Sequence, residues 1–218
     1  MSSSRCLVCF SHILDDIDIF TYFQAEDVLC GRCRALFKEG YTIQLQQLEI
    51  EGLYEYNEDI ENLLYTYKEG HDIALATIFL ELKKTYIKRK YRKYRIVFAP
   101  SSVEKQKERG FATLKEIFQE VALPKQEVFV KINNRKQSLQ PYHKREKIQH
   151  AIAYTGVPIK SEYVLLVDDV CTSGNTLLAM YRQLKKEGYI VKALVLAIHP
   201  SLLVFKKKRK FYFGGSNK

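Results

Sequence analysis

The stretch from Val164 to Thr176 constrains the fold of this chain more than any other part of the sequence. Its first four residues are apolar and predict a buried parallel strand, which delivers Asp168 and Asp169 to the carboxyl end, where open α/β sheets bind ligands. A helical pattern follows and stops at Gly188. The small residues between strand and helix present backbone N–H groups at a helix N-terminus, which predicts a phosphate site. Carboxylates accept hydrogen bonds from ribose hydroxyls, so the whole stretch suits a phosphorylated sugar.

This stretch resembles the phosphoribosyl pyrophosphate (PRPP) signature of type I phosphoribosyltransferases. The resemblance implies that Asp168 and Asp169 face the ribose 2′- and 3′-hydroxyls. It also implies that the 5′-phosphate is held by the loop residues Cys171, Thr172, Ser173, Gly174, Asn175 and Thr176. The alternative is a strand that merely ends in two acids before an ordinary turn. The combination of strand, acid pair, small-residue loop and helix favours the binding site.

Two Cys-x-x-Cys pairs stand near the start of the chain. Cys6 and Cys9 form the first pair, and Cys30 and Cys33 form the second. Four thiolates on two tight turns are typical of one tetrahedral zinc ion with a structural role. Two disulfides or redox-active pairs are the alternatives, and a cytoplasmic location argues against disulfides. Four cysteines complete the ligand set, so we expect neither a role for His12 in zinc binding nor hydrolytic zinc chemistry.

The size and composition fit one ordinary globular domain with a small appendage, since the chain has 218 residues, of which 46% are hydrophobic and 28% charged. No apolar run approaches the roughly 20 residues that span a bilayer. Residues 1–5 lack the apolar core of a secretory signal. We therefore expect a cytoplasmic protein with no membrane span.

The formal charge of +10 is concentrated in two runs, residues 83–95 with eight basic residues and residues 206–210 with five, and neither run contains an acid. Basic groups that follow a phosphate backbone, interleaved with tyrosines on which bases stack, predict a site for single-stranded DNA. The alternative is a solvated charged face without a partner. If residues 83–95 form a helix, four of their basic side chains lie on one side of that helix. The candidate DNA-binding residues are Lys84, Lys88, Arg89, Arg92, Lys93 and Arg95.

The remaining periodicities predict strands alternating with helices, and hence a largely parallel sheet flanked by helices, behind a small four-cysteine domain. The resemblance of the stretch from Val164 to Thr176 implies that this sheet has the phosphoribosyltransferase type I fold. A hairpin is predicted over residues 41–57, and strands over 96–99, 127–132 and 190–198. Helical patterns cover residues 60–67, 75–86, 111–121 and 142–153. The expected domains are residues 1–40 around zinc, a hairpin connector at 41–58, and a phosphoribosyltransferase-like domain at 59–218. Residues 211–215 fit either a covering strand or a loose tail.

Along nearly its whole length the chain resembles the ComF family. The resemblance rests on the paired cysteines, the lysine-containing turn at residues 65–72, Arg109-Gly110-Phe111, the segment 135–139 with Arg145, and the stretch 164–176. The chain departs from the family at Ala112, Thr113 and Ile148, where the family commonly has Asn, Gln and Asn. The phosphate loop keeps two hydroxyls as Thr172-Ser173.

The resemblance implies a competence protein that handles single-stranded DNA in natural transformation, together with an ATP-dependent helicase of the ComFA type. It further implies that PRPP binds with Mg²⁺, and that Lys68 and Arg109 contact the pyrophosphate. An active phosphoribosyltransferase with an unidentified acceptor and unassigned catalytic residues is the alternative. A third possibility, an adaptor with a vestigial pocket, is disfavoured by the intact acid pair and phosphate loop.

Overall fold

The computed structural model describes residues 5–13, 28–132 and 151–202. Within these ranges the chain forms a six-stranded sheet of order β1-β2-β8-β7-β3-β4 and a separate hairpin of β5 and β6. The strands are β1 (Thr42–Leu45), β2 (Leu48–Glu55), β3 (Arg95–Phe98), β4 (Lys125–Gln126), β5 (Phe129–Ile132), β6 (Ala151–Tyr154), β7 (Tyr163–Cys171) and β8 (Ile190–Ile198). The helices are α1 (Gly31–Arg34), α2 (Glu58–Lys68), α3 (Ile78–Glu81), α4 (Lys84–Lys90), α5 (Val103–Arg109), α6 (Thr113–Ile117) and α7 (Asn175–Lys186).

The six-stranded sheet is parallel except at one edge, where β1 and β2 pair antiparallel. The predicted α/β fold with a largely parallel sheet is therefore confirmed. The central strands β7 and β8 are nearly continuous apolar runs because protein covers both of their faces. All four residues from Val164 to Val167 are fully buried. Because these apolar residues of β7 are buried in the sheet, they fix the position of the two acids that follow them in the same strand.

The hairpin predicted over residues 41–57 is confirmed as β1 and β2. Strand β2 also pairs parallel with β8, with Gly52 opposite Val195. Gly52 allows the two strands to pack closely, because a Cβ there would lie 3.0 Å from the side chain of Ile198, which would have to shift. The hairpin is therefore built into the sheet.

The helix predicted over residues 60–67 is confirmed as α2, whose first turn is capped by the side chain of Asn57. The single helix predicted over residues 75–86 is wrong. The chain instead forms a 3₁₀ turn at Ile73–Ala76 and then the short helices α3 and α4. The helical path is interrupted at Lys83, whose φ of −122° and ψ of −10° depart from α-helical values and whose Nζ pairs with Glu39 on a distant segment.

Three other boundaries differ from the sequence prediction. The strand predicted over residues 127–132 is observed as Phe129–Ile132, which pairs antiparallel with β6, and an additional short strand at Lys125–Gln126 joins the main sheet. The helical tract predicted over 142–153 ends as strand β6, whose residues alternate small and large in the period of a strand. The helix predicted over 111–121 is limited to Thr113–Ile117, although Phe118 and Val121 beyond it are buried.

Candidate functional site

Strand β7 continues past the apolar run and includes both acids, ending at Cys171. Asp168 and Asp169 open into a cavity of about 470 Å³ at the carboxyl ends of β3 and β7. Helices α5 and α6 and the β5–β6 hairpin form its walls. Its polar and charged lining residues are Lys68, Ser101, Ser102, Lys105, Gln106, Arg109, Thr113, Lys115, Glu127, Lys131, Thr155, Asp168, Asp169 and Thr176. The predicted acids thus share one cavity with several cations.

The two carboxylates have different electrostatic surroundings. Burial and the neighbouring charge of Asp169 raise the pKa of Asp168 to about 7, against smaller opposing effects of a backbone N–H, Lys68 and Lys131. The backbone N–H of Asp169 donates to Asp168 Oδ1 at 2.9 Å. Lys68 Nζ lies 2.5 Å from Asp169 Oδ2, and both side chains are mostly shielded from solvent. Asp169 is therefore the member of the pair that contacts a cation, while Asp168 holds its proton more tightly than an ordinary carboxyl group.

The C-terminal end of α2 connects three parts of the cavity. The buried Tyr67 donates its hydroxyl proton to the carbonyl of Thr113 at 2.8 Å. Lys68 pairs with Asp169, and Glu69 Oε1 lies 2.6 Å from Arg109 Nη2. Three consecutive residues thus contact α6, β7 and α5. The structure brings Lys68 and Arg109 into the same cavity as the acid pair.

The loop between β7 and α7 is shaped by Gly174, the residue before the helix, which has a φ of 71°. The positive φ favours glycine, and a Cβ at this position would lie 2.3 Å from Leu45 Cδ2, so any side chain there would require Leu45 to shift. Thr172, Ser173 and Asn175 are exposed, and Thr176 lines the cavity. The exposed hydroxyls and the N-terminus of a 12-residue helix can accommodate an anion.

Cys171 differs from the other predicted loop residues. Its side chain is buried, and burial together with the charge of Asp168 raises the pKa of its thiol to about 12. Its carbonyl accepts a hydrogen bond from the backbone N–H of His199 at 3.0 Å. The thiol therefore belongs to the core, and the exposed residues that follow it form the solvent side of the loop.

Three lysines of the cavity were not singled out from the sequence as site residues, namely Lys105, Lys115 and Lys131. They come from α5, α6 and β5, which lie apart in the sequence, and no local pattern marks them. Lys115 Nζ lies 2.7 Å from Glu127 Oε2 at the cavity wall. Together with Lys68 and Arg109 they make the cavity suitable for a ligand with several negative charges.

The six predicted DNA-binding residues do not share one helix face, because α4 ends at Lys90 and Arg95 begins strand β3. Lys84 Nζ lies 3.1 Å from Glu81 Oε2 and 3.3 Å from Glu120 Oε2, and Arg95 is partly buried. The four other cations are exposed, and no ion pair engages them within the described part of the chain. We call these four residues the α4–β3 patch: Lys88, Arg89, Arg92 and Lys93.

The interleaved tyrosines are less available than the sequence suggested. Tyr91 is buried, and its hydroxyl donates to the buried carboxylate of Glu51. Tyr86 donates to the same carboxylate at 2.5 Å, and Lys90 donates to it at 2.7 Å. Burial alone would raise the pKa of Glu51, but these three donors lower it below its ordinary value. The network fixes α4 against β2 and removes Tyr91 as a stacking surface.

The four cysteines of the N-terminal region come together as predicted. Their Sγ atoms all lie within 4.8 Å of one another. A tetrahedral zinc ion with Zn–S bonds of about 2.3 Å requires sulfur–sulfur separations of roughly 3.8 Å. The four thiols therefore form a group that can hold a metal ion such as zinc. Cys6, Cys30 and Cys33 are buried and Cys9 is exposed.

Some predicted features lie outside the described residues. These are the segment 135–139, Arg145, Ile148, and the basic run and tail from residue 206 onward. In the described part of the chain, no helix has both the length and the apolar character needed to cross a membrane.

Comparisons with known proteins agree with this geometry. Residues 107–214 match the family model described as "Phosphoribosyl transferase domain". The chain is 24% identical over 162 residues to a protein named competence protein ComFC from Streptococcus pneumoniae, covering 73% of this chain and 70% of that protein.

Two solved structures are also similar over most of the chain. One is orotate phosphoribosyltransferase from Aeropyrum pernix, with 16% identity, coverage of 82% and 85%, and a TM-score of 0.32. The other is a hypoxanthine phosphoribosyltransferase from Staphylococcus aureus, with 12% identity, coverage of 78% and 82%, and a TM-score of 0.37. These likenesses are too distant to carry an argument.

A phosphoribosyltransferase domain implies a ligand of the PRPP type, which agrees with the acid pair, the loop and the cationic cavity. The matched stretch contains β7, the loop and α7, and the four-cysteine group precedes it. The chain therefore carries a phosphoribosyltransferase domain, and its match to ComFC together with the N-terminal four-cysteine group fits a ComFC-like protein.

Proposed function

We propose that this chain is a cytoplasmic competence protein of natural transformation, which binds PRPP in the carboxyl-edge cavity and single-stranded DNA on the α4–β3 patch. The observation that carries the proposal is the acid pair, Asp168 and Asp169, beside Lys68 in a cavity that also reaches the start of α7. The similarity to a protein named for competence supports the biological setting.

Each part of PRPP has a matching group in the cavity. Asp168 and Asp169 accept hydrogen bonds from the ribose hydroxyls, and the backbone N–H groups and hydroxyls of residues 172–176 receive the 5′-phosphate. Lys68 and Arg109 contact the pyrophosphate. Mg²⁺ enters with PRPP and neutralises part of the pyrophosphate charge. The ion pair of Lys68 with Asp169 supports a position for this lysine between the proposed ribose and pyrophosphate sites.

In the N-terminal region we propose one structural zinc ion held by Cys6, Cys9, Cys30 and Cys33, which fits their distances and their thiolate chemistry. An ATP-dependent helicase of the ComFA type is the proposed protein partner. This partner is proposed because the chain resembles the ComF family.

A second candidate function is phosphoribosyl transfer. The cavity volume is in the range of small-molecule sites, and the apolar side chains of Leu114, Phe129 and Val130 line it beside the acid pair. An acceptor nitrogen would form a bond to ribose C1 as the C1–oxygen bond breaks, and pyrophosphate would leave with the bonding electrons. The acceptor would lose its proton to solvent or to a carboxylate.

Calorimetric titration of the zinc-loaded protein with PRPP and Mg²⁺ tests the cavity. We expect binding by the wild type and its loss in Asp168→Ala/Asp169→Ala. Lys38→Gln, an exposed change outside the cavity, serves as the control and should bind normally. Absence of binding by the wild type would refute the PRPP site. Release of pyrophosphate in the presence of a nucleobase would establish the transferase.

Titration of fluorescent oligothymidylate tests the DNA site. Neutralising the α4–β3 patch by Lys88→Gln, Arg89→Gln, Arg92→Gln and Lys93→Gln should weaken binding and its dependence on salt. Equal affinity in the wild type and the folded variant would refute the patch as the DNA-binding surface.

A further inference from the structure

We infer that the surface for single-stranded DNA extends beyond the α4–β3 patch along the amino-terminal edge of the sheet, to Lys160, Lys185 and Lys186. The inference rests on the proposed DNA binding and names three residues that lie far from the patch in the sequence. We call the patch together with these three lysines the basic edge.

The segments that carry the basic edge contact one another directly. Ser161 Oγ donates to the carbonyl of Lys93 at 3.3 Å, which joins the start of β7 to the start of β3. The backbone N–H of Ile190 donates to the carbonyl of Glu162 at 2.9 Å and joins the start of β8 to that of β7. Three neighbouring strands therefore begin side by side, and their leading segments form one continuous surface.

Helix α7 brings the last two lysines to this surface. The helix starts at the carboxyl end of β7 and returns across the sheet, so that Lys185 and Lys186 lie in its last turn, just before β8. The backbone N–H of Tyr189 bonds to the carbonyl of Leu184, and its hydroxyl accepts from the N–H of Ile159 at 3.0 Å. The residue after Ile159 is Lys160. The end of α7 is thus held next to the segment that carries Lys160.

The charges of this surface are open to a ligand. Lys160, Lys185 and Lys186 are exposed, as are the four cations of the patch. No ion pair engages any of the seven among residues 5–13, 28–132 and 151–202. Glu162 and Glu187 are the exposed acids of the same segments, so the edge keeps a clear excess of positive charge. Partly buried rings of Tyr94 and Tyr163 lie between the cations, 5.5 Å apart by their centroids.

The basic edge and the cavity lie at opposite ends of the parallel strands. Asp168 is five residues beyond Tyr163 in β7, about 16 Å away at roughly 3.3 Å per residue. This separation is about twice the Debye length at physiological ionic strength, roughly 8 Å, so the charges at the two edges are largely screened from each other. DNA and PRPP can therefore occupy the protein at the same time.

The chemistry of the edge favours a flexible polyanion. Its cations are spaced along the leading segments of neighbouring strands and one helix end, and none of them lines the carboxyl-edge cavity. A single strand can bend along such a surface and place successive phosphates near successive cations. An anionic membrane is the other polyanion that could meet a cationic surface, and the test below separates the two.

The experiment compares two double variants with equal loss of charge. Lys160→Gln/Lys185→Gln changes the basic edge outside the patch, and Lys38→Gln/Lys107→Gln changes two exposed lysines near the carboxyl ends of the strands. Binding of fluorescent oligothymidylate is measured by anisotropy over a series of salt concentrations. Each lost phosphate contact should reduce the slope of log K against log salt by about 0.7. The first variant should therefore lose about 1.4 in slope and roughly tenfold in affinity, while the second should match the wild type.

The outcomes separate this inference from the function on which it rests. If the patch variant loses DNA affinity but Lys160→Gln/Lys185→Gln retains it, the extension is wrong and the DNA site is confined to the patch. If the wild type binds no oligothymidylate, DNA binding and its extension both fail. Binding to vesicles of anionic phospholipid, lost in the same variants and unaccompanied by DNA binding, would also overturn the inference. Displacement of DNA by PRPP would contradict the opposite positions of the two sites.

Discussion

Lys68 and Asp169 form an ion pair across the cavity, with Nζ 2.5 Å from Oδ2. Lys68 is the last residue of helix α2, and Asp169 lies in the central strand β7. The ion pair therefore connects the first long helix to the strand that carries both acids. We expect Lys68→Gln to weaken PRPP binding about tenfold, because it removes a charged contact worth roughly 1–3 kcal/mol. Calorimetry against the surface control Lys38→Gln measures the effect. Unchanged affinity would remove Lys68 from the site.

The raised pKa of Asp168 predicts a stability that depends on pH. The carboxyl group has an ordinary pKa of 3.8 and a pKa of about 7 in the folded protein, so the folded state holds the proton more tightly between these values. The contribution of Asp168 to stability therefore falls as pH rises through this window. Asp168→Asn cannot ionise and keeps the acceptor for the N–H of Asp169. We expect Asp168→Asn to match the wild type near pH 4 and to exceed it by about 1–3 kcal/mol near pH 8.

Urea unfolding of both proteins at the two pH values checks this prediction. A difference in unfolding free energy that is the same at both pH values would show that Asp168 does not titrate in this range.

Gly174 and Gly188 offer a matched test of the loop. Both have positive φ, 71° and 87°, but only Gly174 would place a Cβ against another side chain. Gly188→Ala should cost roughly 1–2 kcal/mol for the left-handed backbone alone. Gly174→Ala should cost about 1–3 kcal/mol more, because the new methyl group meets Leu45. Equal losses in unfolding free energy for the two variants would mean that Leu45 moves aside freely.

The buried carboxylate of Glu51 predicts a stability effect remote from the cavity. Glu51→Gln replaces the acceptor of Tyr86, Lys90 and Tyr91 by a neutral amide and leaves a buried network incompletely paired. We expect a loss of about 2 kcal/mol. Glu49→Gln is the control, since Glu49 and its partner Lys192 are both far more exposed than Glu51 and exposed pairs contribute about 0–1 kcal/mol. A thermal or urea unfolding series on the two variants compares them, and similar losses would contradict the role of burial.

The cysteine group predicts a metal content of one zinc ion per chain. Cys33→Ser removes one of four ligands and should lower the bound zinc well below one equivalent, measured by elemental analysis after gel filtration. Cys171→Ser alters a buried cysteine outside the group and should retain the metal. Full zinc content in Cys33→Ser would show that the four cysteines do not form the site.

Local sequence patterns were sufficient to predict those parts of the fold that depend on residues close together in the chain. The strand from Val164, the turn at Gly174 and the cysteine pairs each combine the relevant residues within a short segment, and the structure places them as predicted. Strand β8 was predicted with its observed bounds because an apolar run of that length, followed by Pro200, has few other interpretations.

The sequence did not predict the features that depend on contacts between segments far apart in the chain. The break between α3 and α4 lies at Lys83, which pairs with Glu39 on a distant segment, and helical periodicity cannot reveal such a contact. Tyr91 belongs to the core only because Glu51, on another strand, reaches its hydroxyl. Lys105, Lys115 and Lys131 become neighbours of the acid pair through folding alone. The basic edge likewise requires the sheet order, since its lysines belong to three separate segments.

The position of strand β8 between β2 and β7 determines which segments of the chain are needed to complete the central sheet. The family match begins at residue 107, whereas β2 and β3, which flank the β8–β7 pair on either side, precede that residue. A polypeptide limited to the matched stretch would expose the hydrogen-bonding edges of both central strands, and open apolar edges promote aggregation. It would also lack Lys68. The segment that matches the phosphoribosyltransferase domain therefore depends on the preceding half of the chain to complete its central sheet.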